Sequence, residues 1–170
     1  SGILEWLKVE KVIQELRADE YNITNLGAIL FAKDLDSFPT LKRKAMRIIQ
    51  YKGTGRTETL KEQLTRKGYA VGFKALVDYI NTLLPSNEEI GRALRREVRT
   101  YPEIAIRELV ANAIIHQDFS ISGTGPTVEI FSDRIEITNP GIPLIDTLRF
   151  LDEPPRSRNE DLASCMRRLN

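Results

Sequence analysis

Helices and hairpins that follow one another without a regular strand–helix–strand beat predict an α+β fold. The expected architecture is a two-layer sandwich, one mostly antiparallel sheet with helices on one face. Two local patterns support it. Val71 to Leu84 carries Phe73, Leu76, Val77, Ile80 and Leu83 at helical period and is stopped by Pro85. Thr127 to Thr138 reads as strand, tight turn and strand, with the turn at Ser132-Asp133.

The elements follow in order. Ile3 to Arg17 predicts an amphipathic helix with Leu4, Leu7, Val12, Ile13 and Leu16 on its apolar side. Residues 1–20 are therefore expected to be a connector helix from a preceding domain, and 21–170 the domain proper. Asn22 or Thr24 can cap a second helix, Leu26 to Ala32. Ala45 to Tyr51 mixes β-branched and aromatic residues and predicts a strand, followed by a Gly53-Thr54-Gly55 turn. Glu88 to Tyr101 predicts a hairpin, and short helices are expected near Ile145 to Leu151 and at Glu160 to Leu169. There are no repeats and no low-complexity segments.

Composition excludes several classes. A chain of 170 residues is one ordinary domain. Its net charge of +1 exerts no global pull on nucleic acid, so DNA contact would need a local patch or another domain. A single cysteine, Cys165, rules out an internal disulfide framework and fits a reducing, cytoplasmic setting. No apolar run reaches the roughly 18 residues of a membrane span. The abrupt end after Arg167-Arg168-Leu169-Asn170 reads as truncation, the chain being a piece of a longer protein.

The segment from Pro102 to Asp118 carries the chemistry. Pro102 suits a first helical turn, and Ile106, Leu109, Val110 and Ala113 form the stripe expected to be buried. Glu108, Asn112 and His116 recur every fourth residue, each rotated by about 40° from the last. A carboxylate, an amide and an imidazole thus share one polar face. A later strand runs into Asn139-Pro140-Gly141. Together these could floor a nucleotide–metal site.

The arrangement resembles the Bergerat, or histidine-kinase-like (GHKL), ATP-binding fold. It is most similar to a divergent bacterial branch: transcriptional regulators with an AlbA-like N-terminal domain, often described as resembling the C-terminal part of the RecG helicase. The residues that carry the resemblance are Arg107 to Ala113, His116 to Ser120, Asp133 to Ile137, Asn139-Pro140-Gly141, Arg158-Asn159 and, upstream, Ile23 to Phe31. The resemblance implies a divergent Bergerat-like domain taking ATP and Mg²⁺, in a DNA-binding regulator whose DNA contact lies in a domain absent from this chain. A homo-oligomer is a further expectation; a membrane is not.

The resemblance also implies roles. Glu108 would polarise the attacking water, which requires hydrogen-bond reach of roughly 2.6–3.2 Å. The Asn112 carbonyl oxygen would bind Mg²⁺, a hard cation that favours oxygen. Asn139 would accept from the adenine amino group, and Gly141 would let backbone approach the base. Arg158 would grip phosphate bidentately. The wider family's pattern assigns no role to the next two positions: by residue type alone, Asp118 could cap the helix end or reach the phosphates, and His116 could be a structural hydrogen-bonding group or a ligand.

Plainer alternatives stand beside each role. Glu108 could pair with Arg107 or Arg99, Asn112 could be a surface amide, and Asn139-Pro140-Gly141 could be an ordinary turn. Asn139 is neutral where the wider family has an aspartate, and no glycine-rich lid follows Gly141. Weak nucleotide binding with slow turnover or none is therefore expected, and a scaffold or dimerisation module without ligand is the alternative. Glu108, Asn112 and Asn139 are all expected to be solvent-accessible. Three basic clusters, Lys42-Arg43-Lys44 with Arg47, Lys52 and Arg56, then Arg92 to Arg99, then Arg156 to Arg168, read as solvated faces or as seats for an anion.

Overall fold

A computed structural model of the protein describes the backbone of residues 2–90, 95–145, 148, 154 and 156–169. Its centre is a four-stranded sheet in the order β4-β3-β7-β8, built from β3 (Met46–Tyr51), β4 (Thr59–Thr65), β7 (Thr127–Ile130) and β8 (Ile135–Thr138). The inner pair β3 and β7 is parallel, with Ile48 opposite Val128, and both outer pairings are antiparallel. Side chains alternate along a strand. Met46 and Ile48 of β3, with Val128 and Ile130 of β7, thus face the main core.

That core is closed by helices on one side of the sheet: α2 (Asn25–Phe31), α3 (Tyr69–Leu83), α4 (Glu103–Ile115) and α5 (Glu160–Leu169). They contribute Leu30, Phe73, Leu76, Ile80, Ile106, Val110, Ile114 and Leu162, all buried. The α+β sandwich is as expected. A separate hairpin pairs β5 (Ser86–Ile90) with β6 (Arg95–Arg99). The helix expected near residues 145–151 lies almost wholly outside the described residues. No described helix is long and apolar enough to cross a membrane.

The N-terminal segment departs from expectation. The predicted helix over Ile3 to Arg17 is instead α1 (Gly2–Val9) followed by a hairpin of β1 (Ile13–Arg17) and β2 (Glu20–Ile23). Lys11 ends the helix at φ +58°. The Val12 N–H returns to the Leu7 carbonyl at 2.9 Å, and the Lys11 N–H to that of Lys8 at 3.0 Å. This paired closure normally places glycine at the left-handed position. Lysine there left no stop signal in the sequence. Arg168 of α5 clamps Glu10 at 2.6 Å, so the segment is tied to the C-terminal helix.

Thr24 caps α2 by accepting from the Gly27 N–H, which resolves the choice between it and Asn22. Strand β4 was not anticipated. Its residues Thr59 to Leu64 are all exposed, so no buried alternation marked it.

The sheet face away from the helices carries a small second cluster, Ile49, Tyr51 and Phe131, beside the buried Glu129. Arg56 donates to Glu129 at 2.7 and 2.9 Å, and the Tyr51 hydroxyl donates to it at 3.0 Å. The Arg56 guanidinium, with help from Tyr51, holds the Glu129 carboxyl below the usual carboxylate range against the opposing cost of burial. A depressed folded pKa contributes stability above the unfolded value of about 4.3 and loses it as pH falls through the folded one. Glu129→Gln should therefore cost about 1–2 kcal/mol at neutral pH. It should also flatten the loss of stability below pH ~4, in urea titrations across that range. An unchanged acid slope would mean the carboxylate is not charged in the fold.

Candidate active site

Helix α4 starts just after Pro102, which is its N-cap rather than a first-turn residue and whose carbonyl accepts from the Ala105 and Ile106 N–H groups. Its buried stripe is Ile106, Val110, Ala113 and Ile114. Leu109 was expected there and is not: it is 50% exposed. The stripe is rotated toward Ile114, leaving Leu109 on its rim beside the polar face. Glu108 and Asn112 are exposed as expected, one turn apart, and neither side chain has a partner among the described residues. The pairing of Glu108 with Arg107 as a plain surface ion pair is thus absent. His116 is half-buried and forms the C-cap, its N–H donating to the Asn112 carbonyl at 3.0 Å.

The remaining candidates meet at the C-terminal end of α4. Asp118 accepts from the Ser120 N–H at 2.9 Å and the Ser120 hydroxyl at 2.6 Å. Its other oxygen lies 3.3 Å from Arg158. These contacts, the Ser120 hydroxyl first, hold the Asp118 carboxyl below its usual range. The Asp118 N–H donates to Pro140 at 2.7 Å, and Asn139 donates through Nδ2 to the His116 carbonyl at 3.3 Å. Asn139 is accordingly half-buried rather than freely accessible. Gly141 has φ +118°, and a side chain there would come within 2.9 Å of Asp118 Cβ. Glycine is required on both counts. Arg158 also donates to Ile142 at 2.8 Å.

His116, Asp118, Asn139, Gly141 and Arg158 therefore form one knot, while Glu108 and Asn112 stand apart from it, up the helix. Two members of the knot were not singled out from the sequence. Asn159 donates through Nδ2 to the carbonyls of Ile115 and Gln117, each at 2.8 Å, and so ties α5 to the end of α4. Only its place beside Arg158 in the family-like segment hinted at it. Lys44, read as part of a solvated basic run, is buried. Its ammonium donates to the carbonyls of Asp118, Ile121 and Thr124, and burial pushes its pKa down. Nothing in a Lys-Arg-Lys run distinguishes the inward member. The side chains of Arg92 to Arg99 lie outside those described.

The donor set fits a nucleotide–metal group in part. Asn112 offers an unpaired amide oxygen suited to a hard cation, and Glu108 an unpaired carboxylate. At the base end, Asn139 has already committed its N–H to His116, which leaves its carbonyl oxygen as the acceptor. A cavity of about 1030 Å³ is bordered by Phe119, Ser120, Ser122, Arg158 and Asn159, and Glu108 and Asn112 do not line it.

Residues 123–170 match the family model described as "Putative ATP-dependent DNA helicase recG C-terminal". That is less than a third of the chain. The match includes Asn139, Gly141 and Arg158 and begins after Glu108, Asn112, His116 and Asp118. No curated protein matches the chain. The crystal structure of the DIP2311 protein from Corynebacterium diphtheriae is similar, with a TM-score of 0.71 at 21% identity over 97% of this chain. The chain spans only 32% of that protein. At this identity the likeness is one of fold.

Proposed function

We propose that this chain is a nucleotide-binding regulatory domain that takes Mg-ATP weakly and turns it over slowly or not at all. The observation that carries this reading is the exposed, unpaired Glu108 and Asn112 one turn apart on α4, in a chain whose C-terminal part matches a RecG C-terminal family. Nearly every other polar side chain around the helix end is held by an internal hydrogen bond. In this reading Asn112 supplies the oxygen for Mg²⁺ and Glu108 orients water. The nucleotide's own chemistry is phosphoryl transfer to that water, and Glu108 is at most a weak catalyst of it. The parent protein would be a cytoplasmic transcriptional regulator whose DNA contact and oligomeric assembly lie largely outside this domain.

Thermal shift with Mg-ATP tests binding, since a ligand at 100 times its dissociation constant adds about 2.7 kcal/mol. Calorimetry on variants then divides the work. Asn112→Ala should abolish the Mg²⁺-dependent part of the affinity, whereas Glu108→Gln should leave binding nearly unchanged. Asn139→Ala should weaken adenine nucleotides by roughly 0.5–1.5 kcal/mol. Because Asn139 also holds His116, it should lower stability by a similar amount, unlike the other two. Equal affinities in wild type and all three variants would remove nucleotide from this face.

One observation favours a second reading, a scaffold or dimerisation module. The contacts of Asp118, Asn139 and Gly141 lie within the knot they form with Arg158, though the Arg158 Nε is buried without a partner, and Leu109 and Ile104 add exposed apolar surface to α4. No thermal shift with ATP, ADP or GTP at millimolar levels, with a concentration-dependent dimer in sedimentation, would decide for it.

A further inference from the structure

We infer a second anion site, remote in function from the Glu108–Asn112 face: the groove between the Lys42-Arg43 turn and the loop after α4, which takes a phosphate group. The groove has a volume of about 540 Å³ and is lined by Lys42, Arg43, Arg47, Asp36, Glu62 and the stretch Gly123 to Thr127.

Its charges do not cancel. Arg47 is spent on Glu62 at 2.7 Å, and Asp36 shares Arg66 with Asp34, at 3.7 and 3.8 Å. Lys42 and Arg43 are exposed and have no partner among the described residues. Lys42 and Arg43 therefore stand outside these ion pairs at one rim, and the set of four cations and three carboxylates keeps a net positive charge.

The opposite wall is backbone. The buried Lys44 ammonium gathers the carbonyls of Asp118, Ile121 and Thr124 on the inner side of the loop. The N–H groups of Gly123, Thr124 and Gly125 donate to no protein group among the described residues. Gly123 takes φ +77° and Arg43 φ +64°. Left-handed residues in a turn swing successive N–H groups into a concavity that suits anions. Arg43 adopts this conformation against the steric preference of any residue with a side chain.

The two walls are locked together. A side chain on Gly125 would overlap the Arg43 carbonyl and come within 3.2 Å of that of Ala45. The backbone that carries Lys42 and Arg43 is thus held against the loop that carries the free N–H groups, with the two long cationic side chains able to reach across the groove. A phosphate presents several acceptor oxygens and up to two negative charges, which matches this donor set better than a single carboxylate does. A small phosphorylated molecule or a nucleic-acid backbone could each supply that group.

The test uses the whole chain and the double variant Lys42→Gln/Arg43→Asn, asparagine being tolerant of the left-handed backbone. Circular dichroism should give the variant a wild-type melting curve, because both side chains are exposed. Calorimetry with magnesium-free tripolyphosphate at low salt, and anisotropy with a labelled short DNA duplex, are run in parallel. Wild type should bind at least one probe, more weakly as salt rises, and the double variant should lose roughly tenfold or more, the worth of one charge-assisted contact. Asn112→Ala should bind as wild type does, which separates this groove from the nucleotide face. Loss with tripolyphosphate alone assigns a free phosphorylated ligand, and loss with the duplex assigns a nucleic-acid backbone. No binding of either probe, or a loss that follows Asn112→Ala and spares the double variant, overturns the site.

Discussion

Gly68→Ala should be among the most damaging single substitutions in this protein, costing about 3 kcal/mol or more. Gly68 caps the start of α3 with an ordinary negative φ, so its conformation would admit any residue. Space is what excludes one. A Cβ would lie 2.5 Å from both the carbonyl carbon and oxygen of Leu30 and 2.6 Å from the Phe31 nitrogen. All three are backbone atoms of α2 and cannot rotate aside. The Gly68 N–H also donates to the Ala32 carbonyl at 2.8 Å, so opening the gap would break the bond that docks α3 onto α2. Against a typical total of about 5–15 kcal/mol, the loss is large. Gly53→Ala is the control: nothing lies within 4 Å of its Cβ. It should change stability by less than about 0.5 kcal/mol. Urea denaturation of both variants decides it. A Gly68→Ala curve that overlays wild type would mean α2 and α3 sit farther apart than the structure has them.

Close approaches of this kind are invisible to periodicity, and they mark where the sequence stops being informative. Helix α3 was legible because five buried residues recur at its period and Pro85 ends it. Strands β3, β7 and β8 were legible because they carry β-branched residues between turn signals. Strand β4 was not, since as an exposed edge it obeys no burial pattern. Lys11, in place of a glycine, concealed the end of α1. On α4 the spacing of Glu108 and Asn112 fixed their shared face correctly. The pull of Lys44 on three carbonyls and of Asn159 on two depends on contacts far apart in sequence. Local reading therefore found the exposed pair and missed what holds the loop and the helix end.

Ile114→Ala is expected to cost about 2–5 kcal/mol, and Leu109→Ala less than about 1 kcal/mol. Ile106, Leu109, Val110 and Ala113 make as regular a stripe as Ile106, Val110, Ala113 and Ile114. Spacing alone cannot choose between them. The structure chooses the second: Ile114 is fully buried in the main core, whereas Leu109 is 50% exposed. Truncating Ile114 removes apolar contact and leaves a cavity that the surrounding strands and helices cannot fill. Truncating Leu109 removes partly hydrated surface and gains a few tenths of a kcal/mol in helix propensity. The comparison is a measurement of how α4 is rotated about its axis. Were Leu109→Ala the costlier change, the helix would be turned so that its polar face shifts away from Asn112. Glu108 would then project from the far side of α4, and the proposed nucleotide face would lose the geometry on which it depends.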